Sequence, residues 1–239
     1  MSCNDNADGI CMTEKSLKIN ILYDDKELTV AVKPSGILSE HTEKNDGFPD
    51  ILAASLPEKA ELYSVHRLDG PTAGVMVFAK TKAAASTLSA DFSNGKIKKE
   101  YLAVLCGCPD ETHGELTDLL FYDKRSSKSY VEHRMRKGVR EATLEYSVVD
   151  TAEKDGMKLT LVKVMLKTGR THQIRAQFAS RRLPLFADRR YGGKGNGNIG
   201  LFCRSITFEH PLNGRVMTFE SPVDNVCPWT LFGSIEKKQ

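Results

Sequence analysis

Two short stretches set groups capable of acid, base or nucleophilic chemistry beside chain reversals. In VHRLDGPTAGVMVFAK, residues 65–80, His66, Arg67 and Asp69 precede a Gly70-Pro71 turn and an apolar run. In LKTGRTHQIR, Leu166 to Arg175, the residues Arg170, Thr171, His172, Gln173 and Arg175 fall within about one helical turn. An aspartate before a turn has an ordinary use, because its carboxylate accepts backbone N–H groups of the chain it reverses. It can equally be a carboxylate fixed at the rim of a sheet, where a strand end holds a functional group better than a loop does. Arg170 lies just ahead of a predicted helix start, where the helix dipole favours anions, so a guanidinium there calls for a negative partner nearby.

The elements that must position these groups are legible in part. Ile19 to Tyr23 and Leu28 to Val32 flank a turn-rich Asp24-Asp25-Lys26 and predict a hairpin. FPDILAASL from Phe48 reads as a short helix, and Gly74 to Ala79 as a strand. Thr81 can cap a helix over KAAASTLSADFSNG, with Leu88 and Phe92 on one face and Gly95 as its stop. Strand patterns follow at 98–105, 143–149 and 159–166; the period then changes, with Thr171 as the expected N-cap of a helix that shows Ile174, Phe178 and Ala179 on one face. Two last strands surround Asn213-Gly214, a strong hairpin signal. Many antiparallel connections, few helices and no βαβ rhythm predict an α+β fold on one long mixed sheet.

Composition narrows the partners. The 239 residues carry +3 in total, yet Tyr122 to Arg140 holds net +5 and Lys163 to Lys194 net +8, leaving −10 on the rest. Such asymmetry is what a polyanion-binding face leaves in a sequence, and two solvated surface segments would leave it as well. No apolar run is long enough to span a bilayer and the first residues lack a secretory pattern, so a cytoplasmic protein without membrane contact is expected. Residues 1–16 are polar and patternless and are expected to be a disordered extension, with Met12 as an alternative start; residues 17–239 are expected to form one domain. The six cysteines form no CxxC pair and no zinc-like spacing with histidine, so no metal is expected, and Cys106 and Cys108 are expected to share a buried strand face as free thiols.

The order of several motifs resembles the RluA family of RNA pseudouridine synthases. HRLDGPTAG is similar to the family's HRLD-x-x-T-S-G, KEYLAV (99–104) to K-x-Y-x-A-x-V, and GRTHQIRAQFASRRLPLFADRRYGG to G-R-T-H-Q-I-R with its P-x-x-G-D-x-x-Y-G tail. The resemblance runs from residue 19 to 222. It departs from the pattern at Ala73, where the family usually has Ser, at Ala187, where it has Gly, and at Leu201 to Cys203, where it often has Leu-His-Ala.

The resemblance implies a pseudouridine synthase fold with the catalytic cleft across the sheet. It also implies a cofactor-free isomerisation of uridine in ribosomal or transfer RNA by a protein without the additional N-terminal RNA-binding domain of some relatives, working as a monomer without an obligate protein partner. Asp69 is then the catalytic carboxylate, Tyr101 the aromatic at the target base and Arg170 the counter-charge of Asp69. His66, Arg67, Thr72, Thr171, His172, Gln173 and Arg175 are then the residues placed to hold RNA. Two rivals remain at this stage: a non-catalytic RNA-binding protein on the same scaffold, and a glycoside hydrolase, which needs a second carboxylate facing Asp69, for which only Asp188 is near in sequence.

Overall fold

The computed structural model describes residues 19–43, 46–58 and 60–238; the extension expected over 1–16 lies outside the described residues. β1 (Asn20–Asp24) and β2 (Leu28–Lys33) form the expected hairpin, closed by Asp25, whose carboxylate accepts from the N–H groups of Glu27 and Leu28 at 2.8 Å. α1 (Phe48–Ser55) starts with Pro49 in its first turn, and the Asp50 carboxylate accepts from the Gly47 N–H at 2.7 Å. β3 (Tyr63–Ser64) and β4 (Ala73–Ala79) bracket the loop that carries Asp69. α2 (Lys82–Ser93) is capped as expected, the Thr81 hydroxyl accepting from the Ala84 N–H at 3.1 Å, and is followed by Gly95 in the left-handed region.

β5 (Lys98–Cys106) comes next, followed by β6 (His113–Asp123), β7 (Lys128–Glu132), β8 (Val139–Lys154) and β9 (Met157–Leu166). After α3 (Gln173–Ser180) and a 3-10 turn at Arg189–Tyr191, β10 (Leu201–Glu209) and β11 (Val216–Glu220) make the hairpin around Asn213-Gly214. The strands join in one sheet in the order β1-β2-β4-β10-β5-β9-β8-β6-β7, with β3 on β4 and β11 on β10. Among the described strands every pairing is antiparallel except β4 with β10, so the sheet is mixed and mostly antiparallel, as expected.

The centre of the sheet is covered on both faces, which is why its strands read as continuous apolar runs rather than as a clean alternation. On β5, Tyr101, Ala103 and Leu105 join Phe48 and Leu52 of α1 and Ile174 and Phe178 of α3 in one core. Leu102 and Val104 face the other way, onto Phe202, Trp229 and Phe232. The parallel β4–β10 pair needs glycine at its start: Gly74 has φ 132°, and a Cβ there would lie 2.3 Å from the Cys203 carbonyl oxygen. This close approach lies immediately downstream of Asp69 and fixes where that loop enters the sheet.

Two expectations change, and one hairpin is new: the first basic segment forms β6–β7, running on into β8, with most of its cations exposed. It packs beside the second segment: Tyr191 and Arg190 bond to backbone groups of Ser129 and of Ser126 and Ser127, so the two cationic stretches form one surface. Cys106 and Cys108 do not share a buried strand face, because β5 ends at Cys106 and Gly107 turns at φ 112°, leaving Cys108 exposed. The helix after β9 begins at Gln173 with His172 in the N-cap position, and Thr171 caps nothing.

Candidate active site

Four segments meet over one face of the sheet: the loop before β4, the start of β5, the β9-to-α3 turn and Leu201 of β10. They enclose a cavity of about 90 Å³. Nine of the ten residues singled out from the sequence line it, and His66 does not. Tyr101, 5 % exposed, forms one wall; burial pushes its phenol well above the usual tyrosine range, so it is protonated at neutral pH. Cys203 is its register partner on β10, taking a place that a Leu-His-Ala sequence would fill differently.

The counter-charge of Asp69 is Arg175, not Arg170. Arg175 Nη1 lies 3.1 Å from the Asp69 carboxylate, while Arg170 turns outward and its Nε donates to the Glu141 carbonyl at 2.9 Å. The cause is local. His172 adopts φ 55°, ψ 25°, a left-handed conformation that non-glycine residues visit at a cost of about 1 kcal/mol. That reversal leaves Arg170 before the turn, whereas Arg175, the third residue of α3, points back into the cavity. His172 is held in place by Tyr191, whose hydroxyl lies 3.0 Å from its Nδ1.

Arg175 is shared between two acids. Its Nε and Nη2 donate to both oxygens of Asp188 at 2.7 and 2.8 Å, and Asp188 is 2 % exposed. A bidentate fork onto a buried carboxylate fixes the guanidinium plane and aims the remaining nitrogen at Asp69. Asp188 therefore serves the arginine and does not line the cavity, and no acid but Asp69 lines it among the described residues. A glycosidase pair is absent from this geometry. The loop that brings Asp188 in also holds Ala187 at φ 58°, the left-handed conformation suited to the glycine of the family pattern, so Ala187 keeps the loop's shape at a cost of about 1 kcal/mol.

The other expected RNA-holding residues divide. Arg67 is exposed at the mouth, and Thr72, buried beside it, has a hydroxyl with no partner among the described residues. Gln173 is a structural pin: its Oε1 accepts from the Thr168 hydroxyl and the Arg170 N–H, and its Nε2 donates to the Thr143 carbonyl. Thr171 is tied by its carbonyl to the Ser129 hydroxyl. His172 has its Nε2 3.8 Å from Asp69, and burial lowers its pKa below 6.5, against the pull of Asp69, so it is neutral at pH 7. His66 accepts from the Val77 N–H at 3.1 Å, stacks on Phe92 and is held neutral by burial, so it completes the sheet and brings no charge to a polyanion.

Lys33, at the end of β2, escaped the sequence reading although a lysine closing the apolar run LTVAVK is a visible anomaly. It is fully buried and donates to the carbonyls of Pro34, Ile37 and Gly70 at 3.0, 2.6 and 3.1 Å, clamping the loop that carries Asp69. Burial pulls its pKa down to about 8, with Asp69 pulling the other way. The unfolded chain titrates near 10.4, so between the two values the unfolded state holds more protons and stability rises with pH. Relative to Lys33→Met, the wild type is expected to gain about 2 kcal/mol between pH 7 and 9.5. Urea unfolding of both proteins at the two pH values measures it, and a gap that does not change with pH would refute the buried charge.

Comparison with known proteins agrees with this architecture. The RNA pseudouridylate synthase family profile matches residues 27–180. The dual-specificity RNA pseudouridine synthase RluA of Escherichia coli K12 is 32% identical over 208 residues, covering 85% of this chain and 93% of its own. An uncharacterized RNA pseudouridine synthase of Aquifex aeolicus is 34% identical over 227 residues, 86% of this chain and 70% of its own. In structure, human RNA pseudouridylate synthase domain containing 1 superposes with a TM-score of 0.76 at 20% identity, over 94% of this chain and 90% of that one. Fold and sequence together define an RNA pseudouridine synthase, an isomerase. The chain belongs to the RNA pseudouridylate synthase family, alongside RluA.

Proposed function

We propose that this protein isomerises particular uridines in ribosomal or transfer RNA, with Asp69 as the group that acts on the ribose and no cofactor. The reaction breaks the bond from uracil N1 to the anomeric carbon, turns the uracil and joins its C5 to the same carbon, with the C5 proton lost and N1 reprotonated. Atoms balance without redox or an energy source. One carboxylate serves either route, by attacking the anomeric carbon or by removing a ribose proton. The observation that carries the reading is Asp69, 3.1 Å from a guanidinium anchored elsewhere, at the wall of a small cavity otherwise free of acids.

Tyr101 supports the base: its ring offers uracil an apolar face, and its protonated phenol is a donor rather than a base for the C5 proton. A cavity of this size holds a base only after it has left its stack, which costs about a few kcal/mol and is least in loops and bulges. The joined cationic surface of β6–β7 and the Arg189–Tyr191 turn offsets that cost through phosphate contacts. The RluA relative is described as dual-specific, so more than one RNA pool is to be screened, beginning with ribosomal and transfer RNA. Mapping pseudouridines in both pools with and without the gene is expected to show defined sites lost with it; identical maps would overturn the proposal.

A further inference from the structure

A second groove, about 620 Å³, opens from the catalytic cavity between the end of α2, the start of β5 and the β9-to-α3 turn. Among the described residues five cations line it and no acid does: Arg67, Lys98, Lys99, Lys167 and Arg170. Two are already engaged. Lys167 Nζ lies 2.7 Å from both Glu115 and Glu145, and Arg170 is bonded through Nε to the Glu141 carbonyl. Lys99 is different. It projects from the same face of β5 as Tyr101, lines both cavity and groove, and its ammonium has no ion pair or hydrogen bond among the described residues. Its neighbour is the Phe92 ring, whose centroid is 5.5 Å from Nζ, and burial lowers its pKa.

An ammonium withdrawn from water without a counter-charge is unfavourable, and an arriving anion removes the penalty. Of the three cations without a partner among the described residues, Arg67 and Lys99 sit where the groove meets the cavity and Lys98 lies at the exposed rim further along, while Val65, Ile97 and Met165 form the groove's apolar wall. Charge at the neck with apolar surface behind it matches a phosphodiester followed by a nucleobase. We propose that the groove is the subsite for the nucleotide adjoining the target uridine and that Lys99 binds the phosphate linking the two. This rests on the reading of Asp69 as the centre of a uridine isomerase. It adds that the neighbour is unstacked along with the target, so the enzyme selects single-stranded loops in which two consecutive nucleotides can leave the helix.

The test is fluorescence anisotropy with a fluorescein-labelled 12-nucleotide oligouridylate across a potassium chloride series. Lys99→Met is expected to weaken binding about tenfold and to flatten the slope of log affinity against log salt by about 0.7, the signature of one lost phosphate contact on a single strand. Lys99→Arg restores most of both. Lys98→Met, at an exposed position that lines only the groove, is expected to flatten the slope as well and keeps the test open if Lys99→Met misfolds. Lys82→Met, exposed at the start of α2, leaves the slope unchanged. Unaltered slopes in both groove variants, with wild-type isomerisation of cellular RNA intact, would overturn the subsite and leave the synthase reading standing. Absence of isomerisation by the wild type on any RNA pool would remove the reading on which the subsite rests.

Discussion

Asp69→Asn is expected to abolish pseudouridine formation while the protein stays folded and still binds RNA. The change keeps shape and removes the anionic oxygen that either route requires, so the loss is at least about 10⁴-fold, equivalent to about 5.5 kcal/mol of transition-state stabilisation. The fold tolerates it because Arg175 retains its fork on Asp188 at 2.7 and 2.8 Å and the Thr72 N–H still meets the backbone carbonyl of residue 69. The measurement is tritium released from RNA carrying uridine labelled at C5, alongside a melting curve and a filter-binding titration. Turnover within about tenfold of wild type would remove Asp69 from the chemistry. Loss of RNA binding together with turnover would recast it as a binding residue.

What could be read from the sequence is what is decided locally. The α2 cap at Thr81, the Asn213-Gly214 hairpin and the β1–β2 turn are set by a few adjacent residues, and each forms where its pattern predicts. The gathering of Asp69, Tyr101 and the 170–175 turn came from the order of family motifs, which carries long-range information that periodicity lacks. The β6–β7 hairpin is hidden because its strands are rich in charge and their apolar positions follow no clean alternation; β6 takes its other partner, β8, from further along the chain, from Phe121↔Val139 to His113↔Ser147.

The choice of arginine failed for a related reason. Whether Arg170 or Arg175 reaches Asp69 depends on one backbone conformation, φ 55° at His172, which is held by Tyr191 nineteen residues away. Nothing within GRTHQIR reveals it. Asp188 suggests a second acid for sugar chemistry by its sequence position, although a lone acid in the net +8 stretch is a natural anchor for one of its arginines. Lys99 belongs to the same motif as Tyr101, and a spacing of two on a strand places both on one face.

The arginine assignment has its own decisive contrast: Arg175→Met is expected to be far more damaging than Arg170→Met. Removing Arg175 strands Asp188, 2 % exposed, without a partner, and breaking a buried pair from one side costs about 3–5 kcal/mol. For a chain of this size that lowers the melting temperature by roughly 10 °C. Activity falls as well, by about 10²-fold or more, because Asp69 loses the cation that orients it. Arg170 is exposed and bonded to one carbonyl, so its loss changes stability by only about 0.5 kcal/mol. Adding Asp188→Asn to Arg175→Met removes the stranded charge and is expected to return much of the stability and none of the activity. Thermal unfolding and tritium release on the three variants separate the two roles of the guanidinium, support for the fold through Asp188 and orientation of the reacting carboxylate through Asp69. An Arg170→Met protein that proved the weaker of the two single variants would reverse the assignment.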